Sequence, residues 1–511
     1  MFVGDILGRR ALYTPDDLAV VDAGKDPHRS FTYREMNSRA NRLANWLKDG
    51  AGIQKGDRVA ILAHDGVEHL DLFFACGKLG AIHVPFNWRL HWRELLDLVN
   101  DTTPTVLVFS DEFREEAQHL ANAADCIQHI LHIDGEGLAN SRYFEKTLMD
   151  STLRPVHTES VTEEDIACLI FTGGTTGLPK GAQISHRMIA WNTLNTIIHD
   201  LRHGDVTVNT FPLFHTGGLL VYTTPLLILG GTVVLMQRFE AEKLLNLMQE
   251  YAATVYAGVP TMYQMMMNAP NWESADLSNL RFCTSGGAPL PIKLVKQFGE
   301  QKDIQFKQGF GMSEFGPGVF ALAPEDAVRK AGSIGRPNFF VDARIVDDNN
   351  REVPPNTIGE LVLRGPSLSS GYFNKPEESA TAIDDDNWFH TGDLALCDED
   401  NYYMIVDRKK DLFISGGENI YPAEIEKVLY KNADIELCAV VGVPDDKWGE
   451  VGKAFVVLKQ DATLTENSLL NFLQHHLAGY KVPRHIEFVD SLPISGAGKI
   501  LKRELVSNYS D

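Results

Sequence analysis

Along most of the chain, short apolar runs alternate with stretches of helical periodicity. Arg58-Val59-Ala60-Ile61-Leu62 reads as a strand, and an apolar helix follows over Val67–Leu79. Thr105–Phe109 and Asp165–Phe171 are the next clear strands, and a helix starts near Ser185. The alternation continues as Thr254–Val259 then Thr261–Met267, and as Leu280–Ser285 then Pro291–Phe298. These runs are apolar at consecutive positions rather than at every second one. That is the pattern of strands in parallel sheet covered by helices on both faces.

The pattern changes near residue 338. Phe340–Val346 and Gly359–Arg364 read as strands around the polar turn Asp347-Asp348-Asn349-Asn350, which predicts an antiparallel or barrel-like subdomain. Beyond Arg408 come a helix near Pro422–Tyr430, strands at Leu437–Val443 and Lys453–Lys459, and a helix near Glu466–His476. The charged stretch Asp407-Arg408-Lys409-Lys410-Asp411 marks a boundary. The predicted fold class is α/β: a large N-terminal domain, 1–408, of α/β layers with parallel sheets plus a small barrel-like subdomain, then a small α+β C-terminal domain, 409–511. The uncharged segment Gly217–Met236 is long enough to span a bilayer, but Pro225 and Gly230-Gly231 interrupt it. A buried helix, a turn and a buried strand at Thr232–Leu235 fit it better, so no transmembrane segment is expected.

Composition adds exclusions. Hydrophobic residues make up 44% and charged residues 23%, values of a folded globular chain rather than a disordered one. The net charge of −22 argues against nucleic-acid binding, which needs a basic field. An anionic small ligand then needs a local cradle of backbone N–H groups and a few cations. The six cysteines form no C-x-x-C pair and lie in or beside apolar segments, so they read as reduced thiols packed as small hydrophobes. The first residues have no basic start, apolar core or small-residue cleavage site. A reducing, cytoplasmic compartment is expected.

Candidate chemistry begins at Thr172-Gly173-Gly174-Thr175-Thr176-Gly177-Leu178-Pro179-Lys180-Gly181, which follows a buried strand and precedes a helix. Gly173, Gly174 and Gly177 allow a tight turn with N–H groups aimed at an anion. Thr172, Thr175 and Thr176 add hydroxyl donors, and Lys180 adds a charge. A polyphosphate is the ligand that needs this set. The loop is not a Walker A motif, because Lys180 stands three residues after Gly177 and precedes Gly181. Gly496-Ala497-Gly498-Lys499 is a second decoy, since Ile500 follows the lysine.

The loop resembles that of the adenylate-forming superfamily, which comprises acyl-CoA synthetases, aryl-CoA ligases, luciferases and peptide-synthetase adenylation domains. Further motifs of that superfamily follow in order: Phe211–Gly218, Ser285-Gly286-Gly287-Ala288-Pro289-Leu290, Gln308-Gly309-Phe310-Gly311-Met312-Ser313-Glu314, Thr391-Gly392-Asp393, Asp407–Asp411 and Pro493–Lys499. The resemblance spans residues 172 to 499 and is weaker before it.

The resemblance implies an AMP-forming acid–CoA ligase. A carboxylate and ATP would give acyl-AMP and pyrophosphate, and the thiol of coenzyme A would then displace AMP. It implies that Lys499 bridges the carboxylate and the α-phosphate, that Glu314 holds Mg²⁺, and that Gly286, Gly287, Ala288 and Pro289 lie beside adenine. Gln308 to Ser313 would continue the nucleotide site, with Phe310 at the usual tyrosine position and Ser313 at the usual threonine position. Asp393 and Arg408 would hold the ribose. Lys410 would be the hinge of a mobile small domain that rotates between the two steps. Ser415, Gly416 and Gly417 would line the pantetheine tunnel, His215 would gate it, and Trp448 would contact coenzyme A. Gly309 and Gly311 would floor the acyl pocket, with Trp191, Thr216, Gly218, Val259 and Met312 lining it.

Glycine at 311 and the lack of an aspartate for an amino group point to a medium- or long-chain fatty acid or a cyclic or aryl acid, and away from acetate or an amino acid. The partner is thus a small-molecule carboxylic acid, and the oligomeric state is open, a homodimer included. Two alternatives stand beside this reading: an adenylating enzyme that passes its product to a carrier protein or oxygen, and a non-catalytic nucleotide-binding homologue.

Overall fold

The computed structural model describes residues 2–157, 160–172, 179–288, 290–416, 418–494 and 500–507, the side chains of Arg503 and Ser507 excepted. The chain divides into two compact units, Met1–Asp342 with Leu363–Phe389, and Ala343–Val362 with His390–Asp511.

The first unit is mixed α/β with three sheets. The largest runs in the order Arg142–Tyr143, His129–His132, Val106–Phe109, Arg58–Leu62, Ile82–Pro85, Ile166–Thr172 and Lys180–Ser185. Its pairs are parallel except the last. A second sheet joins Val255–Gly258, Phe282–Ser285 and Gln305–Met312 in parallel, then turns back through Gly316–Leu322 and Arg336–Pro337. A third contains Val206–Asn209, Thr232–Leu235, Leu18–Asp22 and Arg29–Thr32. The apolar runs read from sequence are these central strands, buried on both faces as such runs must be.

The helix Val67–Leu79 is buried along its whole length, which is why it shows no polar face. Its charged residues survive burial because each is paired. Arg39 donates to both oxygens of Asp71 at 2.7 to 3.1 Å, Arg29 donates to Glu68 at 2.8 Å, and Lys78 donates to Asn37 at 3.1 Å. Gly80, at φ 71°, ends the helix in the left-handed region. The uncharged segment resolves as a π-helical turn Gly217–Val221, a buried helix Thr223–Leu229 and a buried strand Thr232–Leu235, with Gly230 at φ 84° between the last two. No helix of the described residues is long and apolar enough to cross a membrane.

One local expectation changes. The Gly/Thr loop leads into a second strand, Lys180–Ser185, which pairs antiparallel with Ile166–Thr172 and sets Lys180 opposite Thr172. The helix begins only afterwards, at His186–Ile197, with Ser185 Oγ accepting from Met188 N–H at 3.2 Å. The flanking residues Thr172 and Lys180 thus belong to two antiparallel strands, and no helix starts directly after Gly181. The strand is six residues long and mixes Lys180, Gly181 and Gln183 with apolar positions, so it carries no continuous apolar run.

The second unit contains a four-stranded sheet in the order Asp342–Val346, Gly359–Arg364, Phe389–Cys397 and Tyr403–Arg408. Its other sheet is built on the long antiparallel pair Ile435–Asp445 and Gly449–Leu458. Helices Pro422–Leu429 and Glu466–Gln474 bury Ile425, Leu429, Leu469 and Leu473 in the core beside those strands. Asp407, buried at the end of its strand, accepts from Ala423 N–H at 2.8 Å and so ties the smaller sheet to the first of these helices.

Candidate active site

In the first unit the described nucleotide candidates lie at the hairpin Ile166–Ser185 and on or beside the strands Phe282–Ser285 and Gln305–Met312. Thr172 and Lys180 face each other at the mouth of the hairpin. The Lys180 ammonium lies 5.3 Å from the centroid of the Tyr372 ring. The Tyr372 hydroxyl donates to Glu314 Oε1 at 2.8 Å, and among the described residues the second Glu314 oxygen has no partner. Tyr372 was not among the residues expected from sequence; its only signal there is an aromatic in the polar turn Ser369-Ser370-Gly371-Tyr372. Gly173, Gly174, Thr175, Thr176, Gly177 and Pro289 lie outside the described residues.

Strand alternation sorts the central motif into two faces. Phe306, Gln308 and Phe310 point to one side, and Lys307 and Gly309 to the other; the pairing shifts register between Phe310 and Met312, so Gly311 falls outside this alternation. Gln308 is buried and already committed: its Oε1 accepts from Leu290 N–H at 3.1 Å and its Nε2 donates to the Ser333 carbonyl at 3.0 Å. It thereby holds the Leu290 backbone in place. Phe310 packs edge-on against Phe320 with centroids 5.8 Å apart. Gly287, at φ 78°, adopts a backbone that other residues avoid, and Gly287 and Ala288 are exposed. Met312 is half-buried and Ser313 buried at the end of the strand.

The glycines on the acyl side differ. A Cβ at Gly309 would meet only Thr284 Cγ2, at 3.6 Å, so the space above it is open. A Cβ at Gly311 would lie 2.4 Å from the Pro317 backbone, and one at Gly218 would lie 2.2 Å from the Pro212 carbonyl. Backbone packing alone requires glycine at those two positions. Trp191 packs edge-on against Phe340 at 5.1 Å, Thr216 is buried, and Val259 is half-buried beside Gly287.

His215 is half-buried, and its Nδ1 accepts from Gly217 N–H at 3.0 Å. The turn that carries it is anchored by a residue the sequence reading missed. Asp65 Oδ1 accepts from Leu213 N–H at 3.0 Å, and burial pushes this carboxyl up to about 7. Asp65 stands three residues after the strand Arg58–Leu62, beyond the carboxyl end of a parallel strand, where α/β sheets place ligand-binding loops.

In the second unit, Arg408 Nε lies 2.5 Å from Asp393 Oδ1, and Asp393 is buried. Lys409 reaches Asp348 and Glu360 at 3.2 Å each, while Lys410 is exposed in the turn that follows the strand. The three described coenzyme A candidates meet. Ser415 pairs with Gly449, Gly416 N–H donates to the Trp448 carbonyl at 2.9 Å, and a Cβ at Gly416 would lie 2.7 Å from the indole. Lys447 lies 4.8 Å from the indole centroid. Gly417 and Lys499 lie outside the described residues. Among the described residues no group of three His, Cys, Asp or Glu side chains forms a metal cage, so a cation here would depend on Glu314 together with its ligand's phosphates.

A family model described as AMP-binding enzyme matches residues 7–373, and one described as AMP-binding enzyme C-terminal domain matches residues 424–499. The chain is 41% identical over 498 residues to a feruloyl-CoA synthase of an Amycolatopsis species, with 97% of each chain covered. Among solved structures it is similar to ATP-bound MatB from Rhodopseudomonas palustris, with 31% identity, 100% and 99% coverage and a TM-score of 0.90. It is also similar to o-succinylbenzoate CoA synthetase from Bacillus subtilis in complex with its acyl-adenylate intermediate, with 28% identity, 98% and 97% coverage and a TM-score of 0.86.

Proposed function

The chain belongs to the AMP-binding enzyme family and is an acid–CoA ligase; we propose that its acid is a medium- or long-chain fatty acid or a cyclic or aryl carboxylic acid. The carboxylate attacks the α-phosphorus of ATP, pyrophosphate leaves, and the acyl-AMP is then attacked at its carbonyl by the thiol of coenzyme A. AMP leaves as the thioester forms.

The first step joins a carboxylate to a polyanion, so positioning and charge neutralisation dominate it. Lys180 serves the β- and γ-phosphates, and Lys499 bridges the carboxylate and the α-phosphate. A lysine about 4 Å from a phosphoryl oxygen contributes on the order of 4 kcal/mol of Coulomb energy at an effective dielectric near 20. The nucleotide site continues through Thr172 to Gly177, Gly287 to Pro289 and Gln308 to Ser313, with Asp393 and Arg408 on the ribose.

Glu314 fits Mg²⁺: it offers a hard oxygen, oriented by Tyr372 through the other carboxylate oxygen. Bound there, the ion would neutralise phosphate charge as pyrophosphate departs. That oriented carboxylate, held by the tyrosine whose ring also meets the Lys180 ammonium, is the observation that carries the adenylation reading.

For the second step, Ser415, Gly416, Gly417 and Trp448 receive coenzyme A and His215 gates its tunnel. Lys410 is the hinge between a domain of 1–408 and a domain of 409–511, and absorbs the backbone change between the two steps. The enzyme works in the cytoplasm, where its free thiols stay reduced.

The test is a panel of linear, alicyclic and aromatic acids with Mg-ATP, read first by pyrophosphate release and then by thioester formation. AMP release that requires coenzyme A supports this reading. Transfer only to a carrier protein supports the alternative acceptor, and no mixed anhydride with any acid overturns the reading.

A further inference from the structure

Lys180–Ser185 is the last strand of its sheet, and a bare strand edge needs a cover. The segment Ser369–Phe373 supplies it. Gln183 N–H donates to the Gly371 carbonyl at 2.9 Å. The Gln183 carbonyl accepts from Ser370 N–H at 3.2 Å, and the Gly181 carbonyl from Phe373 N–H at 2.8 Å. Ala182 and Tyr372 face each other as an antiparallel bridge. The same segment reaches Glu314 twice. Ser369 N–H donates to its backbone carbonyl at 2.8 Å, and the Tyr372 hydroxyl to its Oε1 at 2.8 Å. A short stretch of chain thus joins the strand that starts with Lys180 to the carboxylate proposed to hold Mg²⁺.

The turn leading into this segment is tied from outside by one cation. Arg187 stands two residues after the strand, in the first turn of the helix His186–Ile197. Its Nη1 donates to the Pro366 carbonyl, and its Nη2 to the Leu368 carbonyl at 3.3 Å. Its Nε lies 2.9 and 3.0 Å from the two Glu164 oxygens. A guanidinium is a flat fork whose donors have fixed directions, so Glu164 sets its plane and the plane sets the two carbonyls. Ser367, between those carbonyls, is fully buried, so the turn is packed as well as tied. The helix itself has no use for Arg187: a cation in the first turn works against the helix dipole. Glu164 is exposed, and a surface ion pair contributes little alone. The two carbonyls are what this residue serves.

Resting on the acid–CoA ligase reading and on Glu314 as its Mg²⁺ carboxylate, we infer that Arg187 is a positioning residue for metal binding, fixing the Pro366–Leu368 turn from which Ser369 and Tyr372 hold Glu314. It acts on the ion only through those two residues. Because it follows the hairpin strand directly in the chain, it also keeps the turn in step with Lys180. A lysine could reach one carbonyl but could not hold two in a fixed plane. The consequence is selective: without Arg187, nucleotide binding should weaken only by the share that the metal contributes.

The experiment measures calorimetric binding of α,β-methylene-ATP, which cannot release pyrophosphate, to the purified full chain, once with Mg²⁺ and once with a chelator. The ratio of the two affinities is the contribution of the metal. Arg187→Met should cut that ratio by about tenfold, the effect of one lost hydrogen bond to a charged group, and leave the metal-free affinity nearly unchanged. Arg187→Lys should fall between Arg187→Met and the wild type. A cycle with Tyr372→Phe gives the second readout. The double variant should lose little more of the ratio than Tyr372→Phe alone, because residues acting through one another do not add. Where Arg187→Met fails to fold, Arg187→Lys takes its place in the cycle. Lost packing would weaken binding equally with and without Mg²⁺. That outcome, a double variant whose losses multiply, or a wild-type ratio near one overturns the inference and leaves the ligase reading standing. A wild type that binds the analogue in neither condition and releases no pyrophosphate with any acid overturns the ligase reading, and this inference with it.

Discussion

The Tyr372 hydroxyl donates to Glu314 Oε1 across 58 residues of sequence, and its ring lies beneath the Lys180 ammonium. One side chain thus meets both the carboxylate proposed to hold Mg²⁺ and the ammonium proposed to serve the phosphates. Tyr372→Phe keeps the ring and removes the hydroxyl. Losing one hydrogen bond to a charged group costs about 1.5 kcal/mol, roughly a tenfold effect. The Mg²⁺ concentration for half-maximal pyrophosphate release should rise by that order, with a smaller change in the KM for the acid. An unchanged Mg²⁺ dependence would separate Tyr372 from metal binding.

Asp65 makes stability depend on pH. Burial raises its carboxyl to about 7, against an ordinary value near 3.8. Between those values the folded state holds a proton that the unfolded state has lost. Its contribution to stability is therefore full below about pH 4 and disappears as pH rises through 7. Asp65→Asn keeps an oxygen for Leu213 N–H and abolishes the titration. Its melting temperature should fall less than that of the wild type between pH 5 and pH 8. Equal falls would place the titration elsewhere.

These contacts mark where the sequence stops being legible. The helix Val67–Leu79 and the strand Arg58–Leu62 could be read because burial on every side leaves an unbroken apolar run. The strand Lys180–Ser185 could not, since its polar and small residues give neither a run nor a clean alternation, and the hairpin forms through pairing with its neighbour. The family's motifs were legible wherever glycines and charges sit together in one stretch, as in Gln308–Glu314. The residues that support them were not. Tyr372 meets Glu314, and Asp65 meets Leu213 from 148 residues away, only through the topology of the sheets. Even inside a recognised motif a residue's task depended on packing: Gln308 has both ends of its amide spent on backbone.

The two half-reactions should respond differently to Lys499→Ala. This lysine is assigned to the carboxylate and α-phosphate in the first step only, so adenylation should be lost almost completely. Thioester formation from supplied acyl-AMP should stay within a few-fold of the wild type. Loss of both half-reactions to the same extent would contradict the assignment.

Gly309 and Gly311 provide the last prediction, because they stand two residues apart with opposite surroundings. At Gly309 an added methyl meets Thr284 Cγ2 at 3.6 Å, an ordinary contact. Gly309→Ala should therefore fold with a melting temperature within a few degrees of the wild type. The methyl occupies the open space there, so bulky ring acids should lose about tenfold in kcat/KM through KM, and slender linear acids should lose less. At Gly311 the same methyl would stand 2.4 Å from the Pro317 backbone, which cannot move without opening the hairpin that carries Glu314. Overpacking of this kind costs about 1 to 3 kcal/mol. Gly311→Ala should lower the melting temperature and reduce pyrophosphate release with every acid alike, since the displaced element carries Glu314, the residue proposed to hold Mg²⁺. If Gly311→Ala instead left stability intact and shifted only the choice of acid, position 311 would be a pocket floor after all, and the returning hairpin would have to be more yielding than its contacts indicate.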